Sequence, residues 1–377
     1  MSGSFEALCF HMRAIEKVLV PRRIFPDKTD LHQDLLGAWL SLKLLERWQR
    51  IPFAIGDFSE DMGDIAGAET LTSLFDSNKY RTEAILSLLI DARRFSTMIL
   101  LHPFFDHECD GSRASLSNQC LEHYYRVMNV AEPIPWWRSE ARQANEPFRQ
   151  RLVQIKDDLK QWHAHLHPSD IALEQADQAY GQLAIASFGG HETITLYPLA
   201  FESRRAAMNY LLYALANLLC DVDLLDFLTS DTYPCSANGY QSSWLTLILR
   251  ILSGLHGSNY LPKNDVGVSM VEVLFECVCR NVRPEVDSWL MEWLQENEAP
   301  REGACSAISG EFEFELKQME LIARRRKTGK HVLCSFTYGG GAYDSEKEAV
   351  ECLIYGRDAH SRHLYYERVD LRASLTR

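Results

Sequence analysis

FESRRAAMNYLLYALANLLCDVDLLDF, residues 201–227, is the most apolar stretch of the chain, and its reading decides the fold. Ala, Leu, Met and Tyr surround it on nearly every side, which predicts a central buried helix. Through this apolar segment run Arg205, Asn209, Tyr213, Asn217 and Asp221, recurring every four residues as a continuous polar ridge. Buried polar groups need partners, and a few polar groups set in apolar walls are also how a ligand cavity orients its guest. The five ridge residues are therefore the ligand-pocket candidates. The plainer reading makes them the helix's wet side or a satisfied core network.

Helical periodicity extends outward in both directions. Apolar residues spaced three and four apart predict helices at 5–19, at 31–48 after an Asp27 or Thr29 cap, and from Tyr80 to Leu101, ended before Pro103. Further helices are read at 114–128 and 146–165, with a turn around Pro133, Pro135, Trp136 and Trp137 between them and a break at His167 and Pro168. Glu192 to Tyr197 fits either a strand or the entry to a helix. Beyond the central segment come helices at 242–255, 266–279, 285–297 and 311–326. The last ends on Arg324, Arg325, Arg326 and Lys327, with Gly329 suited to the residue past the helix end. His331 to Tyr338 roughly alternates apolar and polar residues before Gly339, Gly340 and Gly341, as in a small hairpin. The fold class expected is all-α, an irregular multi-helix bundle or stacked helix pairs with a small β-hairpin near the C-terminus. It forms one unit over residues 1–377, with any subdivision near 165–190.

Composition narrows the function classes. The 377 residues are 46% hydrophobic and 24% charged with eight Trp, a balance that folds. A net charge of −13 gives no electrostatic footprint for nucleic acid, so direct DNA or RNA contact is not expected. Ten cysteines, mostly isolated, read as reduced thiols rather than a disulfide framework. The first residues fit neither a signal nor a transit peptide, and no apolar run reaches the roughly 18–20 residues of a membrane span. The expected setting is the nucleus or cytoplasm, with no membrane partner.

Several segments carry a resemblance. ALCFHMRAIEKVL at 7–19 and DLHQDLLGAWLSLKLLERW at 30–48 resemble the paired helices that open the fungal-specific transcription factor domain, the regulatory domain that follows the zinc binuclear cluster in many fungal regulators. FESRRAAMNYLLYALANLL at 201–219 resembles its apolar middle helix. ILRILSGL, KNDVGVSMVEVLFECVCR and DSWLMEWL follow, within 248–294, in that domain's usual order, and Glu302, Gly303, Glu320 and Arg324 extend the likeness. The resemblance implies an all-α fold and a regulatory role. The chain departs from the family where the DNA-binding module would sit: six closely spaced cysteines are required, yet only Cys277 and Cys279 lie within ten residues of each other.

Other constellations carry less. Phe104 to Asp110, FFDHECD, resembles the aspartate-rich metal motif of class I terpene cyclases, and Asn264, Ser269 and Glu272 resemble their second motif. The five- and three-residue spacing turns Ser269 about 100° away from the face that motif needs. An acidic loop and an Asn264 or Asp265 helix cap account for these residues more simply. His163, His165 and His167 alternate; on a helix only His163 and His167 share a face, which is a weak metal signal beside surface histidines at a helix end. Gly339 to Gly341 lacks the Lys and Ser or Thr of a phosphate loop, and Arg324 to Lys327 reads as a solvated helix end before an import or anion patch. No cofactor motif and no nucleophile signature appear.

Two functions follow as expectations. The first is a regulator homologue without its own DNA contact, tied to a secondary-metabolite pathway and open to a small-molecule ligand and a protein partner. The second is a cofactor-independent cyclase, of Diels–Alder type, on the same scaffold. Such catalysis can rest on positioning in an apolar pocket shaped by aromatics such as Tyr210, Tyr213 and Trp244.

Overall fold

A computed structural model describes residues 30–49, 80–105, 146–174, 181–187, 190–229, 242–255, 268–298, 306–338, 351–361 and 363–371. The helices read at 5–19 and 114–128, the Asp27 and Thr29 caps, the turn around Pro133 to Trp137 and the Gly339 to Gly341 turn lie outside these residues.

Helices dominate. In chain order they are α1 (Asp30–Gln49), α2 (Arg81–Phe105), α3 (Glu146–Ala164), α4 (Arg204–Leu219), α5 (Val222–Thr229), α6 (Ser243–Leu255), α7 (Met270–Arg280), α8 (Pro284–Glu298) and α9 (Ser306–Lys327). Strands β1 (Leu173–Glu174) and β4 (Leu199–Ala200) form a two-residue ladder, and β2 (Gly181–Ser187) pairs antiparallel with β3 (Gly190–Leu196). Strands β5 (Lys330–Tyr338), β6 (Glu351–Asp358) and β7 (Leu364–Asp370) make an antiparallel meander. The helical class expected from periodicity is thus what the described residues show, with these sheets added. The segment that fitted two readings, Glu192 to Tyr197, falls mostly in β3.

The central segment departs from one expectation. It is two helices rather than one, because Asp221 breaks the register: its carboxylate accepts the Leu224 N–H at 3.3 Å and opens α5. The N-terminal boundary is set in the same way by Ser203, whose hydroxyl accepts the Ala206 N–H at 3.1 Å. Thirteen of the sixteen residues of α4 are buried, so the all-round apolar pattern does mark a core helix. Helices α2 and α6 make its largest contacts, with α3 and α7 completing the surround. Helix α2 in turn touches α1, α3, α5 and β5, so α2 and α4 together form the middle of the molecule. One apolar core extends from Trp39 to Leu371.

Three further boundaries correct the sequence reading. Helix α2 runs through Pro103 to Phe105; a proline in the final turn costs one hydrogen bond and leaves no later turn to distort. Helix α7 starts at Met270 rather than 266, since Ser269 and Glu272 form a reciprocal capping box: the Ser269 hydroxyl accepts the Glu272 N–H at 3.2 Å and the Glu272 carboxylate accepts the Ser269 N–H at 2.7 Å. The C-terminal hairpin is a three-stranded sheet. Gly329 does sit past the end of α9 with φ of 79°, a left-handed turn that carries the chain into β5.

Buried charges tie the C-terminal half together. Asp287 of α8 pairs with Arg326 of α9 and accepts from the Asn281 side chain at 2.7 Å, while Arg326 also donates to the Val278 carbonyl of α7 at 2.7 Å. Burial pushes the Asp287 carboxyl up, and Arg326 and Asn281 pull it back down. Arg326 therefore belongs to the interior, which corrects the solvated-helix-end reading at that residue alone, since Arg324 and Lys327 are exposed. A second network joins α2 to α7 through Arg93, which donates to Glu276 at 2.6 Å and lies over the Trp48 ring.

Candidate functional site

The polar ridge of α4 points at three neighbours in turn. Arg205, exposed, donates to the Thr82 hydroxyl at the start of α2, at 3.1 Å. Asn209 is buried one turn on. Tyr213 is buried among aromatic rings. Asn217 is buried and donates to the Tyr213 carbonyl at 2.9 Å, and buried Asp221 accepts from Ser242 at 2.9 Å as well as capping α5. The ridge is neither a wet face nor uniformly a closed network: four members have partners in the interior or at its edge, and Asn209 keeps an unpartnered oxygen.

Aromatic side chains converge on the middle of that ridge from separate elements. Trp162 and His163, at the C-terminal end of α3, both stack on Tyr213, with centroids 5.6 Å and 4.9 Å away. Trp244, in the first turn of α6, meets Tyr213 edge-on at 5.8 Å. Phe201 and Tyr213 flank Tyr210 at 5.5 Å and 5.7 Å. Tyr213 is 7% exposed, whereas Trp162, His163, Phe201, Tyr210 and Trp244 are half-buried. Aromatic pairs at such separations contribute roughly 0.5–1.5 kcal/mol each beyond area burial, so the cluster is stable as well as partly open.

Local anchors hold the end of α3 in place. The Trp162 indole N–H donates to the Arg81 carbonyl at 3.1 Å, and Arg81 pairs with Asp170 in the short turn Pro168–Asp170. His163 Nε2 and the Tyr210 hydroxyl share a hydrogen bond of 3.1 Å. Burial lowers the His163 pKa below the ordinary histidine value and so favours the neutral ring. Burial also raises the Tyr210 and Tyr213 hydroxyls, with Arg250 pulling Tyr210 the other way. Chemically, the cluster offers flat apolar faces and one imidazole–phenol hydrogen bond, with Asn209 one turn before Tyr213 on the same helix.

The lowered His163 pKa fixes a sign. A group protonated less readily when folded leaves stability intact above its unfolded pKa of about 6.5 and removes it as pH falls below that. Acidification from pH 8 to pH 5 is expected to depress the melting temperature more in the wild type than in His163→Gln. Parallel melting curves of the two proteins check this; equal losses would count against a strained, neutral His163.

The other candidates resolve differently. His163, His165 and His167 do not share a face, because α3 ends at Ala164. His165 Nδ1 bonds to the Gln161 carbonyl at 2.7 Å, and His167 caps the following turn, its Nδ1 bonded to Ser169. Among the described residues no group of three His, Cys, Asp or Glu side chains is arranged to hold a metal ion. Ser269 and Glu272 are engaged in their capping box, and Glu272 also accepts the Trp48 indole N–H at 2.9 Å; Asp106 to Asp110 and Asn264 lie outside the described residues. Cys220, Cys277, Cys279, Cys334 and Cys352 are buried and outside any disulfide, and burial pushes the Cys352 thiol up to about 11, far from a reactive thiolate. No helix among the described residues is long and apolar enough to cross a membrane.

Sequence reasoning named Tyr210, Tyr213 and Trp244 as pocket aromatics but passed over Trp162, His163 (weighed there only as a metal ligand) and Phe201. No local signal marks the first two as site residues, since they reach Tyr213 only through the packing of α3 on α4. Comparison with known proteins adds no relative: no family model, no curated protein and no solved structure matches the chain.

Proposed function

We propose that this chain is a regulator of the kind its sequence resembles, one that senses an apolar small molecule at the ring-lined side of α4 and reaches DNA only through a partner protein. The observation that carries the reading is the convergence of half-buried rings from α3, α4 and α6 on a polar ridge inside an otherwise apolar helix. Ligand sites combine those two features, apolar walls and a few fixed polar groups. The net charge of −13 suits a protein that leaves DNA contact to another chain. The setting proposed is the nucleus, and the pathway served is one of secondary metabolism. The test is a deletion strain: transcripts of the controlled pathway fall and a tagged copy accumulates in nuclei. Unchanged transcripts would defeat the reading.

One observation favours a second reading. The His163–Tyr210 hydrogen bond, with burial favouring the neutral imidazole, lies beside apolar rings, an arrangement that suits a cofactor-independent cyclase working by positioning and one hydrogen bond. The metabolite profile of the same strain separates the two. Accumulation of one uncyclised intermediate identifies the enzyme, and loss of every pathway product identifies the regulator.

A further inference from the structure

Asn209 is 3% exposed, and its side-chain oxygen has no hydrogen-bond partner among the described residues. Its place on α4 is one turn after Arg205 and one turn before Tyr213, directly preceding Tyr210, so it lies on the same ridge as the ring cluster. A buried acceptor without a donor is a standing cost, and a guest that brings a donor removes it. The rings select for a flat aromatic guest. The ridge itself selects against a cation through Arg205, while Arg250, which acts on Tyr210, is paired with Glu174 at 3.2 Å and adds less.

From these three constraints we infer that the ring-lined side of α4 binds a neutral hydroxylated aromatic, a phenol, which packs among the rings and donates its O–H to Asn209 Oδ1. The inference rests on the small-molecule reading above and adds the chemical class of the ligand.

The full chain titrated with 2-naphthol, 2-methoxynaphthalene and 2-naphthylmethylammonium, followed by ligand-observed NMR, tests this. The naphthol should bind about tenfold tighter than the methyl ether, which keeps the ring and an acceptor but has no donor. The ammonium probe should bind more weakly than the naphthol. Asn209→Leu, which keeps the volume and removes the acceptor, should bring the naphthol to the level of the ether while the melting temperature holds or rises. Equal binding of naphthol and ether by the wild type, or tighter binding of the ether, would overturn the phenol inference and leave an aromatic site standing. No binding of any probe would overturn the ligand site itself. The wild-type comparison decides both points even if the leucine variant does not fold.

Discussion

Asp287→Ala is expected to lower the free energy of unfolding by about 3–5 kcal/mol, the cost of leaving a buried cation without its counter-charge. Asp287 is fully buried on α8, Arg326 is nearly so on α9, and the same guanidinium reaches the Val278 carbonyl at the end of α7. Removing the carboxylate strands Arg326 and also the Asn281 amide that donates to it at 2.7 Å. The loss is therefore one of uncompensated burial rather than of a strong attraction. That distinction has its own test. Replacing both partners, Asp287→Leu with Arg326→Met, removes the charge together with its counter-charge and should recover most of the stability lost in the single variant. Urea titration of the wild type, the single variant and the double variant measures it. A double variant as unstable as Asp287→Ala would mean that the pair contributes real attraction.

Gly254→Ala should destabilise by about 3 kcal/mol, although alanine in a helix normally gains close to 1 kcal/mol over glycine. Gly254 lies in the last turn of α6, where the helix backbone packs against β4. A Cβ there would fall inside the van der Waals shell of the Leu199 carbonyl oxygen. The obstacle is main chain, held by the β1–β4 ladder, and cannot rotate aside as a side chain would. The sign of the change is what thermal unfolding of the variant reads. A melting temperature at or above that of the wild type would show that β4 moves freely away from α6.

Particular residues show why some of the molecule was legible and some was not. Helix α4 declared itself because burial on nearly every side leaves an apolar run, interrupted only by polar residues recurring every four positions. The break at Asp221 did not, since an acidic residue inside a helical pattern looks the same whether it faces solvent or caps the next helix. Strand β6 was hidden for a related reason. Cys352 to Arg357 are all buried, so the alternation that betrays a half-exposed strand is absent. Within the candidate site, Tyr210 and Tyr213 share a helix and were readable together. Trp162 and His163 join them from 47 or more residues away, a juxtaposition that only tertiary packing creates. The Asp287–Arg326 pair, 39 residues apart, was invisible for the same reason.

The C-terminal meander bears on how such a chain is made. Phe104, in the last turn of α2, meets the Tyr355 ring edge-on at 5.2 Å, and Arg357 donates to the Thr229 carbonyl at 2.8 Å. A ribosome synthesises α2 long before it reaches β6, some ten to fifty seconds at ordinary elongation rates of about 5–20 residues per second. Throughout that interval Phe104 lacks its partner ring, and the surface that β5 and β6 will cover is open to other nascent chains. Closure of the core is thus a late event on the assembly line, and the interval before it is when a holdase chaperone would have most to protect.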